Sequence, residues 1–150
     1  MVTYLNYTCM NNFYGKLKKF IHLPFNEKLL FMEAIFIQYM VCLFLKLIPF
    51  KWIPVLLKNP EKHVSNPDIA LLRQIKSAIK YAGHLAIWKN KCLIMSLTAR
   101  LMLKKRNIPS QLFFGVEISQ KKQFTAHAWI QAGNYEMVNK NGEWKELYSF

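Results

Sequence analysis

The feature that most constrains this chain is a change of hydrophobic period at Pro109. Between Asn26 and Arg106 the long apolar segments have the length and ends of helices, broken by a short proline-punctuated stretch from Pro49 to His63, and from Gln111 onward apolar residues alternate. A 3.6-residue repeat keeps an apolar stripe on one side of a helix but scatters it over both faces of a strand, and a two-residue repeat does the reverse. The chain therefore reads as helices first and an antiparallel sheet after, an α+β layout. Its 150 residues suit one domain and can bury a core without disulfide or metal staples. Within it, residues 1–60 read as a helical front and residues 65–150 as the part that carries chemistry.

The helices have recognisable ends. "NEKLLFMEAIFIQYMVCLFLKLI", residues 26–48, offers Asn26 as N-cap and Glu27 in the first turn, and Pro49 stops it. It is apolar nearly all round. Its uncharged run, Ala34 to Leu45, is 12 residues, against roughly 20 for a bilayer span. It is read as a buried or partner-facing helix, with a membrane surface or a protein left open as the cover for any bare face. The next helix has Ser65 or Asn66 as cap, Pro67 at its first position and Asp68 in its first turn. Its apolar stripe runs Leu71, Leu72, Ile75, Ala78, Ile79, Ala82, Leu85, with Arg73, Lys76 and Lys80 on the wet side. A third helix starts near Cys92, is apolar on most sides and so reads as central. Lys104, Lys105 and Arg106 crowd its last turn, where cations suit the helix dipole, and Asn107 is the candidate C-cap. "QLFFGVEI", "FTAHAWIQ", "NYEMVN" and "EWKELYSF" follow as four strands.

Charge and cysteine usage narrow the function. Twenty-one basic residues against eight acids give a net charge of +13, which favours anionic partners. Eighteen of the 21 are lysines spread along the whole length, without the arginine forks that read base edges, so nucleic acid is not expected. Cys9, Cys42 and Cys92 are odd in number and form no Cys-x-x-Cys pair. A disulfide frame and a zinc site are not expected, nor any cofactor, and a reducing cytoplasm fits. The first twenty residues are polar and mixed, unlike a signal peptide. Membrane association stays open through the 26–48 helix.

In "FTAHAWIQ", Phe124, Ala126, Ala128 and Ile130 share one face, and Thr125, His127, Trp129 and Gln131 share the other. The two alanines leave room around the imidazole. Cys92, at a helix N-terminus, meets unpaired N–H groups and the positive end of the dipole, which favour thiolate. Cysteine there and histidine on a strand make a nucleophile and base. A third polar group should fix the ring. Asp68, the sole aspartate, is used at a helix start. Asn139 is the candidate: a three-residue loop, Ala132–Asn134, would set it opposite His127, whereas a two-residue loop would pair His127 with Lys140. Trp88 and Trp129 are read either as cleft walls that hold substrate or as core packing. Cys42 reads as an inert core thiol.

Three blocks together carry a resemblance: "W-x-x-x-C-L" from Trp88 to Leu93, "IPSQLFFGV" from Ile108 to Val116, and "F-x-A-H-A-W" from Phe124 to Trp129. With the stretch from residue 20 to 50, the chain resembles the lasso-peptide leader peptidases, transglutaminase-like cysteine proteases, over residues 16 to about 140. The resemblance implies a transglutaminase/papain-like core, with the central helix carrying the cysteine packed on the C-terminal sheet. It implies Cys92 as nucleophile and His127 as base. The family's third member is usually aspartate, at a position that falls on or near Asn139, where this chain departs. It further implies a precursor peptide whose leader is removed, a separate leader-binding recognition protein, and an ATP-dependent cyclase that acts next. Two other classes stay open on the residues: acyl transfer of the transglutaminase kind on the same Cys-His frame, and a non-catalytic basic module that binds membrane or peptide.

Overall fold

The computed structural model describes residues 24–47, 68–85, 91–118, 124–140, 142 and 144–149. Three helices, α1 (Phe25–Leu47), α2 (Ile69–Leu85) and α3 (Lys91–Lys105), precede four strands, β1 (Gln111–Ile118), β2 (Phe124–Ala132), β3 (Tyr135–Val138) and β4 (Lys145–Ser149). The strands form one antiparallel sheet in the order β3-β2-β1-β4. This is the α+β architecture expected from the change of period, and the switch falls where Pro109 stands.

α3 is the hub, in contact with α1, α2, β2 and β3. Ile94, Leu97, Ala99, Met102 and Leu103 are buried on it, against Leu72, Ile75, Ala78, Ile79 and Ala82 of α2. Burial on most sides explains why α3 shows no clear stripe in the sequence. α1 turns Leu30, Ala34, Gln38 and Val41 inward, a 4-4-3 spacing that makes one face. The Gln38 amide would be costly there unpaired, and it donates to the Ile79 carbonyl at 3.0 Å. Length and composition would let α1 cross a membrane, but its inner face is committed to α2 and α3. Its outer face leaves Phe25, Leu29, Met32, Phe36, Tyr39, Leu43 and Leu47 exposed.

Helix ends differ in detail from the sequence reading. Asn26 lies inside α1; the Pro24 carbonyl accepts from the Glu27 and Lys28 amides instead. Proline suits that place because its fixed φ starts a helix and its missing N–H is not needed. Asp68 is the cap of α2: its Oδ1 accepts from the Ala70 amide at 2.9 Å. Asn107 closes α3 as expected, with φ of 54°, and the Ile108 amide returns to the Leu103 carbonyl. Across the far end of α3, Glu33 binds Arg106 at 2.6 Å and Lys105 at 3.0 Å, tying α1 to it. Burial pushes the Glu33 carboxyl up, but the hydrogen bonds and charges of Arg106 and Lys105 outweigh it and hold the group below its ordinary value.

The β2–β3 hairpin corrects the expected three-residue loop. Ala132 pairs with Tyr135, so Gly133 and Asn134 alone make the turn. Gly133, with φ of 57°, takes the first central position, as in a type II′ turn, whose twist matches the flanking strands where types I and II would splay them. An irregularity between Ile130 and Gln131 then shifts the register, so that Ile130 faces Val138. The ladder ends there. Asn139 lies past it, and among the described residues β2 from Phe124 to Trp129 has no strand on that edge.

Candidate active site

Pairing with β1 sorts the side chains of β2. Leu112, Phe114, Ala128 and Ile130 pack toward the helices, whereas Phe113, Gly115, His127 and Trp129 share the other face. Cys92 is the second residue of α3, so its amide lies in the first turn, where N–H groups lack intrahelical acceptors. Ser96, one turn further along the same helix face, donates to the Ala128 carbonyl at 3.0 Å. Strand carbonyls point in the plane of the sheet, toward its neighbours. The Ser96 bond therefore ties the first turns of α3 to β2 at Ala128, the residue that follows His127. Cys92 stands about 6 Å from Ser96 along the axis. Both Cys92 and His127 are half-buried. Among the described residues no hydrogen bond joins the thiol to the imidazole; such bonds commonly tighten only when substrate binds.

The imidazole has a defined partner. His127 Nε2 lies 2.9 Å from the main-chain carbonyl oxygen of Asn139. A carbonyl can only accept, so Nε2 carries a proton, and the neutral ring keeps its lone pair on Nδ1. The Asn139 side chain does not make this contact, as the sequence reading expected it to. Its Oδ1 accepts from Lys76 Nζ at 2.8 Å, and the same ammonium donates to the Glu136 carbonyl at 2.7 Å. The two-residue loop and the register shift account for the difference. They carry Asn139 beyond the ladder, where its main chain instead of its side chain faces the ring.

Aromatic rings flank the imidazole. Trp144 stacks on it with centroids 5.0 Å apart and planes 27° apart, and Trp129 at 6.0 Å and 17°. Trp129 is buried and stacks in turn on Phe113 at 5.4 Å, while Lys140 Nζ stands 5.2 Å from the Trp129 ring centre. Trp129 thus both packs and flanks the histidine. Gly115, directly across from His127 in the register, makes this possible: a Cβ there would lie 2.8 Å from Trp129 and 2.9 Å from Trp144.

Cys42 is a free, half-buried thiol within α1. Trp88 lies outside the described residues. Among those described, no group of three His, Cys, Asp or Glu side chains could hold a metal ion. A depression lined by Asn26, Leu29, Glu33, Leu71, Gln74 and Arg106 sits at the opposite end of α3 from Cys92, about 21 Å along the axis, and brings no nucleophile. Lys76, Ser96, Gly115 and Trp144 were not singled out in the sequence as site residues. Gly115 interrupts an otherwise bulky strand, and that was the available signal.

A cysteine at the start of a packed central helix, a histidine on the strand that helix packs against and a carbonyl at one ring nitrogen stand on an α+β core. The family model described as the transglutaminase-like superfamily matches residues 37–148, and the chain belongs to that superfamily. Among curated proteins it is similar to the Microcin J25-processing protein McjB of Escherichia coli, at 30% identity over 88 residues. That stretch is 59% of this chain and 40% of McjB, so the match spans less than half of the relative's length. No solved structure matches at comparable stringency.

Proposed function

We propose that the chain is a cysteine peptidase that removes the leader from a ribosomally made lasso-peptide precursor. The observation that carries this reading is the His127 Nε2–Asn139 carbonyl bond, on the strand that Ser96, one turn past Cys92, ties to α3. With Nε2 protonated, Nδ1 is the base that takes the Cys92 proton. The thiolate attacks the scissile carbonyl, and the helix-start N–H groups of α3 face the oxyanion that develops. The tetrahedral intermediate collapses as the imidazolium gives its proton to the departing amine. Water, deprotonated by the same Nδ1, then releases the leader from the sulfur. Trp129 and Trp144 hold the ring in plane, and the half-buried Trp144 forms one side of the substrate cleft. The match to a protein whose name states Microcin J25 processing supports a processing role.

The precursor peptide is the substrate. A separate leader-binding protein presents it, and an ATP-dependent cyclase uses the freed core. The odd cysteine count, with no Cys-x-x-Cys pair, favours a reducing, cytoplasmic setting. The test is to incubate the chain with the precursor encoded alongside it, with and without the leader-binding protein, and weigh the products. Separate leader and core masses, abolished by Cys92→Ala in a protein of unchanged circular dichroism, are expected. An amide-linked adduct of higher mass would replace hydrolysis by acyl transfer. Cleavage by the Cys92→Ala protein would overturn the assignment.

A further inference from the structure

We propose that Lys76 is a positioning residue for His127, acting through Asn139, so that the third member of the catalytic set is a main-chain carbonyl clamped by a lysine from α2. The inference rests on the reading of His127 as the base.

Lys76 would be an ordinary solvated helix lysine if its ammonium faced water. Instead it reaches two acceptors on one short segment, the Glu136 carbonyl at 2.7 Å and Asn139 Oδ1 at 2.8 Å. Its third hydrogen has the face of Tyr135 nearby, 5.4 Å from the ring centre. The two acceptors straddle the end of β3, where the ladder stops at Val138. Past that point, among the described residues, no strand pairs with the Asn139 peptide, and the residue is exposed. Its carbonyl nevertheless has to stay within hydrogen-bond range of Nε2 for the ring to keep one tautomer. Lys76 supplies the missing constraint. Its own backbone is firm, since Ile75, Ala78 and Ile79 beside it are core residues. The orientation of the imidazole is thereby referenced to α2 through one side chain on each of two elements.

This explains why an amide serves where a carboxylate would be expected. The side chain at 139 does not contact the ring; it contacts an ammonium, for which an amide oxygen is a sufficient acceptor.

The experiment is a double-mutant cycle with Lys76→Met, which keeps the stem and removes the donors, and Asn139→Ala. Steady-state cleavage of the synthetic precursor is measured for both singles and the double, with Cys92 titrated by iodoacetamide to count active sites. Each single variant is expected to lose about tenfold in kcat with little change in KM, part of the roughly 10²–10⁴-fold that general-base catalysis supplies. The double should lose no more than either single, because the two residues act as one unit. Lys76→Arg should recover most of the loss. In parallel, ¹⁵N spectra of His127 should show the Nε2–H tautomer in the parent and a mixture of tautomers in Lys76→Met.

Asn139→Ala losing 100-fold or more with Lys76→Met unchanged would overturn the proposal in favour of a side-chain role for Asn139. Additive losses would overturn it as well. So would an unchanged kcat per titrated site with a lowered melting temperature, since that is a structural effect alone. The ¹⁵N arm needs no substrate. A parent that cleaves nothing, with tautomer mixing still produced by Lys76→Met, would reject the peptidase reading and keep the positioning role.

Discussion

Replacing Gly115 by alanine should damage this protein even though alanine is the better strand residue. In an open strand the change would stabilise by about 0.4–1 kcal/mol, through the lower entropy of the unfolded chain. Here the new Cβ would lie 2.8 Å from Trp129 Cζ3, 2.9 Å from Trp144 Cβ and 3.0 Å from Trp129 Cη2. Carbon atoms pack best at roughly 3.5–4.0 Å, so the Trp129 ring and the Trp144 Cβ would have to retreat by most of an ångström. Trp144 Cβ cannot swing away, because it is fixed to its own backbone. Overpacking of this kind costs roughly 1–3 kcal/mol, and the net expectation is a loss of about 1–2 kcal/mol. For a chain of this size that is a fall in melting temperature of roughly 2–8 °C. Because both tryptophans stack on His127, turnover should fall further than stability, by about 10- to 100-fold, the scale of small misplacements of a catalytic group. Gly83→Ala is the control. Its Cβ would meet the flexible thioether of Met95, with Sδ at 3.2 Å and Cγ at 3.5 Å, and alanine gains about 1 kcal/mol in a helix. Urea unfolding, tryptophan emission and precursor cleavage measure all three effects. A Gly115→Ala protein more stable than its parent, with unshifted emission, would refute the packing described around the histidine.

Three further outcomes are expected. Ser96→Ala should lower stability by roughly 1–3 kcal/mol, because the Ala128 carbonyl loses its donor in a buried place, and denaturant titration measures it. Glu33→Gln should cost roughly 1–2 kcal/mol at neutral pH, from lost charge-assisted bonds to Arg106 and Lys105. Since the Glu33 carboxyl is held below its ordinary value of 4.5, its contribution is complete above that pH. It should vanish as pH falls through the lower folded-state value, so the parent and variant unfolding curves should converge in acid. Phe36→Ser and Leu43→Ser should raise solubility with little change in melting temperature, because Phe36 is 65% and Leu43 51% exposed; a large loss of stability in either would mean that this face is covered.

What was legible in the sequence was mostly what depends on pattern within one element. The period change placed three helices and four strands, and "FTAHAWIQ" put His127 and Trp129 on one face because strand alternation leaves no choice. Cys92 was placed by the start of a buried run. The loop between β2 and β3 was harder. A two-residue and a three-residue turn are both available to Ala-Gly-Asn, and a one-residue shift flips every later side chain. The choice was made by strand twist and by a register irregularity, which local sequence does not record. Lys76 was hidden for a related reason. On its helix it belongs to the polar side, and only the three-dimensional return of β3 gives its ammonium something to bind. Trp144 lies on the approach to the last strand, where its partner is 17 residues away in the chain.

The carbonyl that meets His127 has one more consequence, for the way this site can vary among relatives. Every residue owns a carbonyl, so the contact itself places no demand on which side chain stands at position 139. The demand comes only through the ammonium opposite. Across related chains, Cys92 and His127 should be fixed independently, whereas the residues at 76 and 139 should change as a pair. A lysine or arginine at 76 should accompany an amide or carboxylate at 139, and where one is lost the other should be lost with it.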